Sequence, residues 1–392
     1  MSLKIIHNYS LFLYVFLLHF EYWDILTGNI PYFSLSKLSA ILYIVLYIFR
    51  FKRIIVFKEV VPYIRLLFGF YFLLLFVSFL NINSLTTVSN ILNANILLNF
   101  FMFYFITSHI VKFPILINST LKSFVFGGIV IGILIYFNIG ITESEFNRIY
   151  MFGEDPNYVG YRLVFTLSVI FVLVGNHKLL NKPYRLLLVL AIPLLLSAVV
   201  STGSRGAMIC FLMLNFIFVF KVKTKWYFKF FIILFTIAIV LLMIDLIMQD
   251  EEAYARVLRT IEDGDTAKRT EIWSDLIPLY LKNPIIGIGE TGYIFESYKI
   301  YGELQGSHNV YIELLIKTGV FGLIIYLGFL FKILNSSLMV LKKTKLILPL
   351  LFIIGVLFMF TNIQGLYNKT IYYLFAIIIS MNINHGFFTI KR

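Results

Sequence analysis

The chain has 392 residues, of which 60% are hydrophobic, 18% aromatic and only 14% charged. A soluble globular domain carries about 25% charged residues, so water is excluded as the main solvent. The formal net charge of +13 would suit a nucleic-acid binder, but its distribution along the chain excludes that reading too.

Blocks of about 15–22 apolar residues, the length that crosses a roughly 30 Å hydrocarbon core as a helix, place spans near residues 5–20, 36–49, 60–80, 91–111, 122–140, 158–175, 185–200, 206–220, 230–248, 310–331, 346–361 and 370–386. In lipid every backbone N–H and C=O must be satisfied within the segment, so these blocks predict helices. The alternating short strands of an outer-membrane barrel are not the pattern here. The expectation is an all-α integral membrane protein of about twelve transmembrane helices, a single polytopic membrane domain over residues 1–392. Lys4 precedes the first block without a small-residue cleavage site, so that block reads as a retained span. Glu21 and Asp24 follow it, a pair of carboxylates kept in reserve as a divalent-metal site.

Basic residues gather in alternate loops: Arg50, Lys52, Arg53 and Lys58; Lys221, Lys223, Lys225 and Lys229; Lys342, Lys343 and Lys345. Acidic residues gather in the others, from Glu143, Glu145, Glu154 and Asp155 to the run between Asp250 and Glu303. The positive-inside rule then puts both termini in the cytoplasm and the acidic loops outside. The excess positive charge is a topology signal.

Two outer loops are long. The first, ITESEFNRIYMFGEDPN at 141–157, carries Arg148 against the charge bias, and its Asp155–Pro156 pair suits an N-cap and first helical position. Asn157 follows on the same turn. The eighth span opens with STGSRGAMICF at 201–211. Arg205 there is a cation on the outer side and at a helix N-terminus, both disfavoured. With the hydroxyls and free N–H groups of Ser201, Thr202 and Ser204 it makes an anion site; the plainer reading is a side chain snorkelling to lipid phosphates. Cys210, the single cysteine, excludes an intramolecular disulfide and reads as packing.

The second loop, 249–309, holds more than half of the acidic side chains. Its segments EEAYARVLRTIE and TEIWSDLIPLYLKNP have apolar residues at helical spacing and predict short helices at the membrane interface. GIGETG at 287–292 fits a dinucleotide fingerprint but follows no strand and opens no long helix, so glycine turns explain it better. The tenth span opens with GSHNVYIELLIKTGVFG. A helix N-terminus favours the neutral imidazole of His308, which can accept a proton; the plainer reading is that His308 and Asn309 only cap the helix. Gly319 and Gly322 suggest close helix packing. The six histidines lack ligand spacing, and EDGD at 262–265 reads as a solvated turn.

The ordered set S-R-G-A at 204–207, Arg269 with Trp273, N-P-x2-G-x-G at 283–289 and H-N-x9-G-x2-G from His308 to Gly322 resembles the O-antigen polymerase and O-antigen ligase superfamily over residues 150–325. That resemblance implies a fold like the GT-C membrane glycosyltransferases. It implies transfer of a glycan from undecaprenyl diphosphate to an acceptor hydroxyl at the periplasmic face, with no cofactor and no metal. Arg205 and Arg269 would stabilise the leaving diphosphate, with Arg148 in support, and His308 would be the general base. Asp155, Asn157, Ser204, Trp273 and Asn309 would bind substrate. A chain-length regulator is an expected partner. Polymerase is the preferred member, ligase the alternative. A lipid-linked oligosaccharide flippase is the rival of another class, disfavoured because Arg65, Arg162, Glu313 and Lys317 lie near span ends rather than at the midplane.

Overall fold

The computed structural model describes residues 2–23, 34–86, 94–143, 148–175, 181–221, 226–249, 254, 258 and 269–385. Helix α1 (Leu3–Leu17) runs on through a 3-10 turn, and α2 (Leu35–Phe51), α3 (Val61–Leu80), α4 (Ala94–Lys112) and α5 (Leu116–Tyr136) follow. Strands β1 (Ile141–Glu143) and β2 (Ile149–Met151) precede α6 (Pro156–Gly175), α7 (Lys182–Ser201), α8 (Arg205–Lys221) and α9 (Trp226–Gln249). Two shorter helices, α10 (Arg269–Tyr280) and α11 (Gly289–Tyr301), lead to α12 (Val310–Thr344), α13 (Leu348–Met359) and α14 (Lys369–Ile383). Each expected span coincides with a helix, and α10 and α11 lie in the long loop. Among the described residues, six helices are long and apolar enough to cross a membrane: Leu3–Phe20, Val61–Leu80, Leu116–Tyr136, Pro156–Gly175, Lys182–Ser201 and Val310–Thr344. The chain is thus a helical, multi-pass membrane protein.

The first long loop holds one short element that is not helical. There Ile141 pairs with Met151, Thr142 with Tyr150 and Glu143 with Ile149 in an antiparallel hairpin. β-Branched and aromatic side chains favour strands.

Polarity is arranged for lipid. On α3, Phe68, Phe72, Phe76 and Phe79 recur on one face and are all exposed; in water such a stripe would be an association surface. Helix α14 is the opposite case: every residue from Lys369 to Asn382 is buried, with α4, α12 and α13 packed around it.

Helix α12 is broken at Gly319, whose φ of 61° and ψ of −169° are not helical. The loop after α10 enters this break. Val320 and Phe321 donate their N–H groups to the carbonyls of Pro284 (2.9 Å) and Ile285 (3.1 Å), while Ile316 O accepts from Ile288 N–H at 3.0 Å. The groups freed by the break are therefore satisfied by another segment, as buried backbone in lipid requires. Gly287 (φ 75°) lets the two backbones touch: a Cβ there would lie 2.5 Å from the Thr318 nitrogen. Gly319 thus breaks its helix and also admits the Ile285 backbone, whose carbonyl carbon a Cβ would meet at 2.4 Å, while Gly322 faces α3 through Leu73.

Candidate active site

Helix α6 begins where Asp155 and Pro156 suggested. Asp155 Oδ1 accepts from the Asn157 N–H at 2.7 Å, and its carbonyl accepts from Tyr158 N–H at 3.0 Å. Ser204 caps α8, its carbonyl taking Met208 N–H at 3.1 Å and its hydroxyl accepting from Ala207 N–H at 3.3 Å. The two helix starts touch because Gly160 lacks a side chain: a Cβ there would lie 2.8 Å from that of Ala207 and 3.3 Å from Ser204 Cβ. This contact joins three expected site residues. The Ser204 hydroxyl donates to Asn157 Oδ1 at 2.8 Å, and Arg148 Nη2 donates to the same oxygen at 3.3 Å. Arg205, the first residue of α8, is exposed beside them.

Arg269 opens α10 and holds Asn362 in the α13–α14 connection. Its Nη1 donates to Asn362 Oδ1 (3.0 Å) and its Nη2 to Asn362 O (3.2 Å). Gly206 lies against the same asparagine, its missing Cβ 3.4 Å from Asn362 Cγ. The S-R-G-A turn and Arg269 therefore meet at Asn362.

Asn309 is the true cap of α12, its Oδ1 accepting from Tyr311 (3.0 Å) and Ile312 (3.3 Å) N–H groups. His308 just before it has a left-handed backbone, φ 52°. The preceding turn is fixed by Trp273, whose indole N–H donates to Ser307 O at 2.8 Å. Burial lowers the His308 pKa below its ordinary value, and Arg269 and then Arg148 lower it further, while Asp155 opposes them. Burial also lowers the Arg269 pKa, with Arg205 and Arg148 adding to the effect and Tyr161 and Asp155 opposing it. Arg148, Arg205, Arg269, Asp155 and His308 thus share one electrostatic environment. With three guanidinium groups and one carboxylate it suits a polyanion. The imidazole beside it is biased to the neutral form that accepts a proton.

Among the expected substrate contacts, Asp155, Ser204 and Asn309 each do capping work, and Trp273 uses its N–H within the protein. Sequence reading missed Asn362, for which no local motif exists. It also undervalued the charges near span ends, which the structure buries in matched groups. Lys317 lies 3.0 Å from Glu290 and 3.7 Å from Glu313, and the Tyr367 hydroxyl donates to Glu290. Arg162 pairs with Glu154 and donates to Leu18 O, while Glu21 lies 3.0 Å from Lys369 and 3.9 Å from Arg162. Charged side chains in apolar spans are the signal for such groups. Asp24 and the EDGD run lie outside the described residues. In GIGETG, Gly289 opens the short 13-residue α11 and no strand precedes it, so the segment lacks the context of a dinucleotide site.

Residues 186–327 match the O-antigen ligase family model. This match supports the resemblance to the O-antigen polymerase and ligase superfamily and a glycosyltransferase-like function. No curated protein matches the chain.

Proposed function

We propose that the protein is an O-antigen or related surface-polysaccharide polymerase of the bacterial inner membrane, with about twelve spans. It would move a growing glycan from undecaprenyl diphosphate to a hydroxyl of a new lipid-linked repeat unit on the periplasmic face. The observation that carries the transferase part of this reading is the meeting of Arg148, Arg205, Arg269 and His308 around Asn157 and Asn362.

Breaking the sugar–phosphate bond puts negative charge on the departing diphosphate. Preorganised cations lower that barrier, and loss of one such group costs about 10²–10³ in rate. Arg205, exposed at the helix start, and Arg269, held by Asn362, fill that role, with Arg148 beside them. His308 takes the proton from the acceptor hydroxyl as it attacks the anomeric carbon on the face opposite the leaving group, an inverting single displacement. The diphosphate leaves with both bonding electrons, and the proton passes to the imidazole.

Ligase chemistry, transfer of the finished glycan to lipid A–core, needs the same cations and base, and the matching family model carries the ligase description. The test of the shared chemistry is transfer by purified protein with native lipid-linked substrates. His308→Ala and Arg205→Ala should abolish product at unchanged protein level. Full activity in either variant removes that residue from the mechanism. Inhibition by EDTA would revive the metal-dependent alternative at Glu21 and Asp24.

A further inference from the structure

A cavity of about 220 Å³ opens beside this site, lined by Glu21, Tyr22, Lys37, Tyr158, Gln364, Tyr367, Asn368 and Lys369. It lies below the ~300–1,000 Å³ of drug-sized sites, which suits a single ring rather than an oligosaccharide. Three tyrosines supply flat surfaces against which the C–H face of a sugar packs. The lysines and the Gln364 and Asn368 amides supply directional partners for its hydroxyls.

Its walls are shared with the candidate active site. Tyr158 adjoins Asn157, which binds Arg148 and Ser204; Gln364 is two residues beyond Asn362, which Arg269 holds. Tyr158 donates its hydroxyl to Gln364 O, so one contact joins both walls. The floor is rigid. Lys369 is buried and bound to Glu21 at 3.0 Å, Glu21 faces buried Arg162, and Tyr367 is tied to Glu290 of the Lys317 cluster. Preorganised polar groups of this kind bind without having to be ordered first. All eight lining residues lie outside 186–327, the stretch that matches the family model.

We propose that this cavity is a saccharide subsite that seats one sugar ring of the lipid-linked glycan next to the catalytic cations. The assignment rests on the transferase reading above. It divides the site in two: the Arg148–Arg205–Arg269 side takes the donor diphosphate, and the Tyr22–Lys37–Tyr367 side takes a sugar ring of the lipid-linked glycan.

The test uses the full chain in lipid nanodiscs, where both faces are accessible. The native thiol, Cys210, is buried, so single cysteines at Tyr22→Cys and Lys37→Cys report on the cavity alone. Ile54→Cys, on the exposed connection between α2 and α3, serves as control. The rate of labelling by a methanethiosulfonate reagent is measured with purified undecaprenyl-linked repeat unit and with undecaprenyl diphosphate alone. The repeat unit should slow labelling at least tenfold at positions 22 and 37 and leave position 54 unchanged, and undecaprenyl diphosphate should protect neither cavity position. Equal protection by undecaprenyl diphosphate would make the cavity a lipid-headgroup site and overturn the proposal. Unchanged labelling at both cavity positions, in a preparation whose wild-type form transfers glycan, would overturn it while leaving the transferase reading intact. Protection in a protein without transferase activity would keep the saccharide site and refute the transferase reading.

Discussion

His308 sits on left-handed backbone, a conformation that costs a non-glycine residue about 1–3 kcal/mol, at the turn held by Trp273 and ahead of the Asn309 cap. As the proposed base, His308 makes two expectations. Its removal should cost about 10²–10⁴ in transfer rate. Because burial and the flanking arginines lower its pKa, the neutral form persists as pH falls through the ordinary value of about 6.5. The acid limb of kcat/KM should therefore lie below that value; a limb at or above it would show that another group is the base. Arg269 gives a second case. Two donors fix its guanidinium to Asn362, and a lysine cannot reproduce this fork. Arg269→Lys and Asn362→Ala should both lower kcat, about tenfold or more, with the thermal midpoint nearly unchanged. A loss confined to stability would make the pair structural. At this scale the sequence was partly legible. Asp155 before Pro156 and Asn309 before an apolar run announce caps, because capping is local chemistry. Asn362 announces nothing, because its partner is 93 residues away.

The helix break at Gly319 shows what an element's own sequence omits. A glycine inside an apolar run reads as a packing site, and only the carbonyls of Pro284 and Ile285 turn it into a stable break. The N-P-x2-G-x-G segment is thus an architectural wedge. A Cβ at position 287 meets backbone at 2.5 Å on a residue already at φ 75°. Gly287→Ala should destabilise the protein by ~2–4 kcal/mol, read as a fall in thermal midpoint in detergent; an unchanged midpoint would refute the wedge. The Lys317 cluster beside the break makes a related point. Removing one partner from a buried ion pair costs about 3–5 kcal/mol, so Glu290→Ala should be severely destabilising. The helices themselves were legible because lipid leaves the backbone no alternative. The β1–β2 hairpin was not, because it lies in a loop where that constraint is absent.

Across the whole molecule, the groups that matter come from both ends of the chain. Glu21 and Lys369 lock the first and last helices together, and the connection around Asn362 reaches Arg269, Tyr158 and the Lys317 cluster. The most direct measurement of the transferase claim is a lipopolysaccharide gel from a deletion strain, with the wild-type gene or His308→Ala restored. Core carrying a single repeat unit, with the ladder returned by wild type and not by His308→Ala, is the expected result. Bare core with long chains left on undecaprenyl diphosphate would make the protein a ligase. Bare core with unflipped single units, or a full ladder from His308→Ala, would contradict the account.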